Sequence, residues 1–348
     1  MQAVDLNVQS KFAKITTSKR NRVALSLAAL IVLGVVAIAF PHYANGFQLF
    51  VVTEIAIFSV ACLGLTVAIG WSGQTVLAQT GFFGIGAYGT NYLFAHHVPW
   101  LISGLVIAIG CAVLGLIVGL PAARLKGFYL AIATLAFAEL IDQVYNDATP
   151  VTGGANGTAV HIITIFHINP ASALWYMSIF LLVASALVVR QFGRTRIGRC
   201  LRAVRDADIA TSSLGLSSAQ WKVIAFMISA VLGSLAGTLY GQALTFLSPD
   251  AFSFDLIIEF LVVVFIGGVD RIWGAIIGAS FFVLIQEALQ SFGFYQRLIF
   301  GVTLLLVVRF LPGGIVSIVP RVRAYLKNRR DQQLSREPNV VPAGVEQA

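Results

Sequence analysis

The sequence predicts an all-α polytopic membrane protein with about ten transmembrane helices and both termini in the cytoplasm. Three observations carry this prediction. Of 348 residues 58% are hydrophobic and 11% charged, with a mean hydropathy of +0.86, a composition that signals long bilayer-spanning runs rather than a soluble domain. No Asp, Glu, Lys or Arg occurs between Glu54 and Arg124, or between Asp147 and Arg190, and each run is long enough for at least one span of about 20 residues. The basic residues, finally, sit between apolar segments rather than on one domain. A net charge of +8 would suggest nucleic acid as partner for a soluble protein. Here the placement assigns the charge to loops on one side of a membrane, and no nucleic-acid partner is expected.

Taken in order, Lys11, Lys14, Lys19, Arg20 and Arg22 precede an apolar run from Val23 to Phe40. That run exceeds a signal-peptide core and has no small-x-small cleavage site before Pro41, so it reads as a first span entering from the cytoplasm. Spans are placed at about 23–41, 48–70, 81–95, 101–121, 128–145, 173–190, 221–244, 256–268, 274–291 and 298–311. The third is short and glycine-rich, and the eighth is also short. With ten spans, Lys11 through Arg22, Arg124, Lys126, Arg190, Arg194, Arg196, Arg199, Arg202, Arg205, Lys222, Arg271 and the basic residues of the tail fall on the cytoplasmic side. Only Arg297 falls outside, while Arg309 sits near the cytoplasmic end of the last span. A re-entrant 81–95 would put Arg124 and Lys126 outside and loses on charge. The chain therefore divides into a cytoplasmic segment 1–22, a transmembrane body 23–318 with a cytoplasmic loop at 191–220, and a basic tail 319–348. The tail reads as flexible, facing water or the headgroups of membrane lipid.

Catalytic patterns are absent. There is no G-x-x-x-x-G-K-[ST], H-E-x-x-H, G-x-S-x-G or paired Cys-x-x-Cys, so neither an enzyme nor a cofactor is expected in this chain. His42, His96, His97, His161 and His167 fall in or near external loops with no pair at helical ligand spacing, which gives no metal site. Cys62, Cys111 and Cys200 are expected as free thiols. The ionisable groups inside spans are Glu54, Glu139, Asp142, Glu259 and Glu287. A central carboxylate costs about 3 kcal/mol on insertion scales, so each should face the bundle interior, water or a partner. All five fall toward the outer side, where they serve either as interfacial residues or as parts of a proton relay, although a relay favours the midplane.

Between the sixth and seventh apolar regions lies the strongly basic stretch Gly193 to Gly215. Arg199, Arg202 and Arg205 recur every three residues and share one slowly drifting helical face. Asp206 and Asp208 follow, and Gly215 supplies a helix stop. Such a helix either holds the loop in the cytoplasm or transmits motion from a soluble partner. Gly70-Trp-Ser-Gly-Gln74 and Gly81 through Gly89 form the most glycine-dense region, suited to close helix packing or to a break that lines a path. Gly267-Gly-Val-Asp-Arg-Ile-Trp-Gly274 is a fainter echo of it.

Gly73-Gln74, Phe82 to Tyr88, Thr134 to Glu139 and Thr152 to Gly157 together resemble the LivM-type permeases, membrane subunits of ABC importers for branched-chain amino acids. Gly198 to Asp206, Leu214-Gly215, Ser248-Pro249, Phe252, Gly267-Gly268 and Gly278-Ala279 follow in the family's order, so the resemblance spans about residues 48–315. It implies a second, related permease, two cytoplasmic P-loop ATPases and a periplasmic solute-binding protein, in a bacterial cytoplasmic (inner) membrane. It also implies that Arg199, Arg202, Arg205, Asp206 and Gly215 couple the chain to the ATPase. Gln74, Tyr88 and Asn91 are the candidates for lining the path. The chain departs from the family in reading Gly73-Gln-Thr-Val-Leu-Ala-Gln79, with Val76 and Ala78 where Ser and Gly are usual. That departure leaves urea, short amides and other hydrophobic amino acids open as solutes. A rival from another class is a proton- or sodium-driven secondary transporter that depends on Glu139 and Glu259. A third is a structural scaffold whose glycines serve packing alone.

Overall fold

The computed structural model describes residues 39–315 except 126, 164–168, 208–210, 212–216, 296–297, 300, 303–304, 306–308 and 310–313. Segment 1–22, nearly all of the 23–41 span and the tail 319–348 lie outside the described residues, as does most of 298–311. Within them the chain is helical. Helix α1, Gly46–Leu65, continues directly into a π-helical segment, Thr66–Trp71. There follow α2 Gln79–Ala95, α3 Trp100–Ala122, α4 Phe128–Asp147, α5 Pro170–Arg194, α6 Arg196–Asp206, α7 Ser218–Ala243, α8 Phe254–Gly267 and α9 Ile272–Leu289. All but α6 coincide with predicted spans, and α6 occupies the basic loop.

Six of these stretches are long and apolar enough to cross a membrane: Gly46–Trp71, Trp100–Ala122, Phe128–Asp147, Pro170–Arg194, Ser218–Ala243 and Ile272–Leu289. Helices α2 and α8 have 17 and 14 residues, about 25 and 21 Å at the helical rise. Both fall short of a hydrocarbon core of about 30 Å. A short helix at that depth is tolerated when protein surrounds its ends. The burial agrees: most of α2 and α8 is enclosed by α1, α3, α7 and α9.

The bundle is organised around α7, which packs on α1, α2 and α3. Helices α2 and α7 touch backbone to backbone. A Cβ added at Gly86 would strike the Ser234 carbonyl, and one at Gly237 the Phe83 carbonyl, the close approach that small residues permit in a membrane. Beside this seam Phe58, Phe83, Tyr240, Phe260 and Phe282 form an aromatic core. Ring centroids are 5.0 Å apart for Phe83 and Tyr240, and 5.3 Å for Phe58 and Phe260. By contrast α3 leaves Leu101, Leu105, Ile109, Ile117 and Leu120 more than half exposed. An all-apolar outer face of this kind suits lipid.

The helix ends sort by charge. Among the described residues Arg124, Arg190, Arg194, Arg196, Arg199, Arg202, Arg205, Lys222 and Arg271 lie at one end of the bundle. Glu54, Glu139, Asp142, Asp147, Asp250, Asp255, Glu259 and Glu287 lie toward the other, while Asp206 and Asp270 lie among the basic residues. The acidic end carries the connection between α4 and α5. Its two-residue strand β1, Thr158–Ala159, pairs antiparallel with β2, Phe246–Leu247, in the register Thr158 to Leu247.

Candidate coupling and translocation site

At the basic end, α6 is an amphipathic helix laid against the bundle. Ile197, Leu201 and Val204 repeat at helical spacing, and Leu201 and Val204 are fully buried. The opposite face exposes Arg196, Arg199 and Asp206. An extended residue, Thr195, separates α6 from α5 and caps the turn by donating from Oγ1 to the Phe192 carbonyl at 2.7 Å. Arg199 donates to the Arg194 carbonyl at 3.0 Å, and Arg202 to the Gly193 carbonyl at 3.3 Å. The Arg202 guanidinium also sits 5.1 Å from the ring centroid of buried Trp71, a cation–π contact with the last residue of the π-helical segment.

Arg205 has a wider reach. Its Nη1 donates to the Gly70 carbonyl oxygen and to Asp270 Oδ1, the latter at 2.7 Å. Gly70 lies one residue before the end of the Gly46–Trp71 segment, and Asp270 lies in the turn between α8 and α9. The two turns are themselves in contact, because a Cβ at Gly70 would strike the Val269 carbonyl. Gly73, at φ +70°, packs against the Arg205 stem. The two glycine-rich stretches that look alike in sequence are thus brought together, with one arginine bridging them. Gly215 lies outside the described residues.

The break after α1 is held by buried amides. Gln74 donates to Ser72 Oγ at 2.7 Å and to the Lys222 carbonyl at 2.8 Å, joining the turn to the first residues of α7. Thr134 Oγ1 on α4 accepts from the Leu77 amide at 3.0 Å. Gln79 opens α2 and is fully enclosed. Its Nε2 donates to the Ala61 carbonyl at 2.9 Å, and its Oε1 accepts from Ser229 Oγ at 2.8 Å, so it bridges α1 and α7.

At the acidic end, Asn91 Nδ2 donates to the Ala159 carbonyl at 3.2 Å, while its Oδ1 accepts from the His161 amide at 3.0 Å. Gln242 pairs similarly with Ile163 N and the His161 carbonyl. Asn91 thus binds the outer segment by its backbone. Tyr88 is buried between Tyr145 and Phe252, with ring centroids 5.1 and 5.4 Å away. Helix α4 shows an exposed polar stripe at Glu139, Gln143 and Asp147, spaced by four residues and so on one face. Gln143 donates to Asp147 Oδ2 at 3.1 Å. With Leu140 and Val144 these residues line an open depression of about 780 Å³. On the far side Glu259 of α8 and Glu287 of α9 each come within electrostatic reach of Glu54 on α1, and Glu259 accepts from Gln286 at 3.3 Å.

The sequence reading assigns no role to Trp71, Gln79, Gln242 or Asp270. For Asp270 a signal exists in the likeness of Gly267–Gly274 to the earlier glycine stretch. A buried glutamine clamp leaves no local pattern. Among the described residues no group of three or more His, Cys, Asp or Glu has the arrangement of a metal site.

A family model described as branched-chain amino acid transport system / permease component matches residues 47–308. The chain is 32% identical over 335 residues to the high-affinity branched-chain amino acid transport system permease protein LivM of Salmonella typhimurium, covering 87% of this chain and 77% of that protein. It is 25% identical over 281 residues to a probable branched-chain amino acid transport permease protein LivM of Methanocaldococcus jannaschii, covering 71% and 81%. It is 26% identical over 301 residues to the ribose import permease protein RbsC of Haemophilus influenzae, covering 81% and 90%.

Proposed function

This chain belongs to the family of branched-chain amino acid transport system permease components, and from that premise we propose that it is the non-catalytic membrane subunit of an ABC importer for branched-chain or related hydrophobic amino acids. The observation that carries the mechanism is the seating of α6. A basic amphipathic helix outside the bundle is tied by Arg205 to the turn after α1 and to the turn before α9. In this reading a cytoplasmic ATPase docks on the exposed Arg196, Arg199, Arg202 and Asp206. Its closure on ATP moves α6, and Arg205 carries that movement to both turns. Gln74 passes it on to α7, the centre of the bundle.

The exposed stripe on α4 supports a second partner. Carboxylates on an exposed face of a spanning helix do not face lipid, so Glu139, Gln143 and Asp147 border a water-filled path. A second, related permease forms its opposite wall. A periplasmic binding protein delivers solute at the acidic end. The membrane is the bacterial inner membrane, and 23–41 and 298–311 complete ten spans with both termini in the cytoplasm. Two ATPases supply the energy, in keeping with the lack of a P-loop in this sequence.

Arg202→Glu tests the coupling. In proteoliposomes holding the whole complex, ATP hydrolysis should continue while uptake of leucine falls. Normal uptake by Arg202→Glu, together with its abolition by Glu139→Gln, would overturn this reading in favour of an ion-driven secondary transporter.

A further inference from the structure

Among the buried polar atoms in the outer half of the bundle that pair with nothing among the described residues, Trp100 Nε1 and Ser178 Oγ stand apart on α3 and α5, while Tyr88 Oη and Asp142 Oδ1 stand near one another. The latter two belong to one place. Tyr88 on α2 is 2% exposed and lies within electrostatic reach of Asp142 and Asp250. Asp142 stands one turn before Tyr145 on α4, and Asp250 stands two residues before Phe252 in the 3-10 turn Pro249–Phe252. Tyr145 and Phe252 are the two rings packed on Tyr88, 6.0 Å from each other. Tyr145 spends its own hydroxyl on the Gly81 carbonyl at 2.6 Å, leaving that of Tyr88 free. The result is a small cluster of three aromatic rings, two carboxylates and one unspent hydroxyl. Among the described residues no Lys or Arg lies at this end of the bundle.

Buried donors and acceptors are nearly always paired, and an orphan marks a place where something binds or where strain is kept. Here the orphans share a chemistry. A carboxylate oxygen accepts, a tyrosine hydroxyl accepts through its lone pairs, and aromatic faces attract cations. An ammonium group, with three donors and one positive charge, satisfies all three at once. We propose that Tyr88, Asp142 and Asp250 form a transient site for the α-ammonium group of the amino acid as it passes from the binding protein into the path. The proposal rests on the transport reading above and names the contact that the solute makes in this chain. The exposed Glu139, Gln143 and Asp147 stripe lies on the same helix, α4, as Asp142.

The test uses the whole complex in nanodiscs, without binding protein, and three probes: leucine, isoamylamine, which keeps the amine, and 4-methylpentanoate, which keeps the carboxylate. Leucine and isoamylamine should raise the melting temperature of the complex, and 4-methylpentanoate should not. Asp142→Asn should weaken the isoamylamine effect about tenfold in concentration, as expected for loss of a charge-assisted bond. Tyr88→Phe keeps the ring stack and removes only an unpaired buried hydroxyl. Its unliganded melting temperature should stay equal or rise while its amine response falls, a split that a merely structural role would not produce. Equal protection by 4-methylpentanoate, unchanged amine binding in both variants, or protection of the wild type by sodium alone that Asp142→Asn removes, would each overturn the site. Leucine uptake into proteoliposomes separates this from the parent reading. A wild-type complex that carries no leucine defeats the transport reading. A wild-type complex that does, with Asp142→Asn and Tyr88→Phe at the same rate and KM, defeats the site alone.

Discussion

Arg205→Ala should uncouple this transporter while barely touching its fold. The arginine makes two bonds from one nitrogen, to the Gly70 carbonyl and to Asp270. The side chains of the ion pair are 39% and 56% exposed, so solvent screens it and its share is about 0.2–1 kcal/mol. The bond to the carbonyl, charged on one side and also partly exposed, adds about 1 kcal/mol. Together the loss is about 1–2 kcal/mol. A bundle of this size should lose only a few degrees of melting temperature for such a change. The functional effect is larger in kind. Among the described residues Arg205 is the one side chain that bonds α6 to both glycine turns. If that linkage carries the coupling free energy, losing about 1.4 kcal/mol lowers solute transported per ATP about tenfold. Basal hydrolysis should stay within about twofold, because in the proposed assembly the ATPase sites lie in other chains. Asp270→Ala should show part of the defect. The double variant should add less than the sum of the singles, by about 0.5–1 kcal/mol in a thermal-unfolding cycle. The assay is leucine uptake and phosphate release measured on the same proteoliposomes. An unchanged transport-to-hydrolysis ratio in Arg205→Ala, or a cycle with no coupling, refutes the reasoning.

Two further outcomes test the packing. Gln79→Leu removes both ends of a buried clamp and leaves Ser229 Oγ and the Ala61 carbonyl to find other partners, so it should cost about 1–3 kcal/mol; the melting temperature in nanodiscs checks this, and Gln79→Glu should be worse because it buries a charge. Gly237→Val forces a side chain into the Phe83 carbonyl and should cost about 3 kcal/mol or more, seen as loss of monodisperse protein on size exclusion, whereas Gly110→Val, at a site open to the surroundings, should purify normally.

Much of the architecture is legible in the sequence because the bilayer imposes it. A span must be about 20 apolar residues, and cytoplasmic loops collect Lys and Arg. Those two constraints act on composition alone, and they place α1 through α5, α7, α8 and α9 to within a few residues. The amphipathic α6 is legible for the same reason: three arginines and the apolar Ile197, Leu201 and Val204 can satisfy water and bundle only as a helix lying at the surface. What composition cannot supply is which buried polar groups meet. Gln74, Gln79 and Asn91 are three side-chain amides of the same chemistry in one stretch of sequence. In the structure the first ties a turn to α7, the second bridges α1 and α7, and the third holds the outer segment at Ala159 and His161. Each partner lies on a different element, and hydrogen bonding is decided over a few ångströms that only packing sets.

By itself, then, the sequence determined a membrane bundle with one basic and one acidic end, because burial and charge are averaged over whole segments. The tertiary structure alone decided that the two glycine turns touch, that Arg205 joins them, and that Tyr88 and Asp142 face each other's surroundings without a partner. Those are meetings between residues 54 to 200 positions apart in the chain, and no local pattern encodes a contact that depends on how closely α2 and α7 can approach.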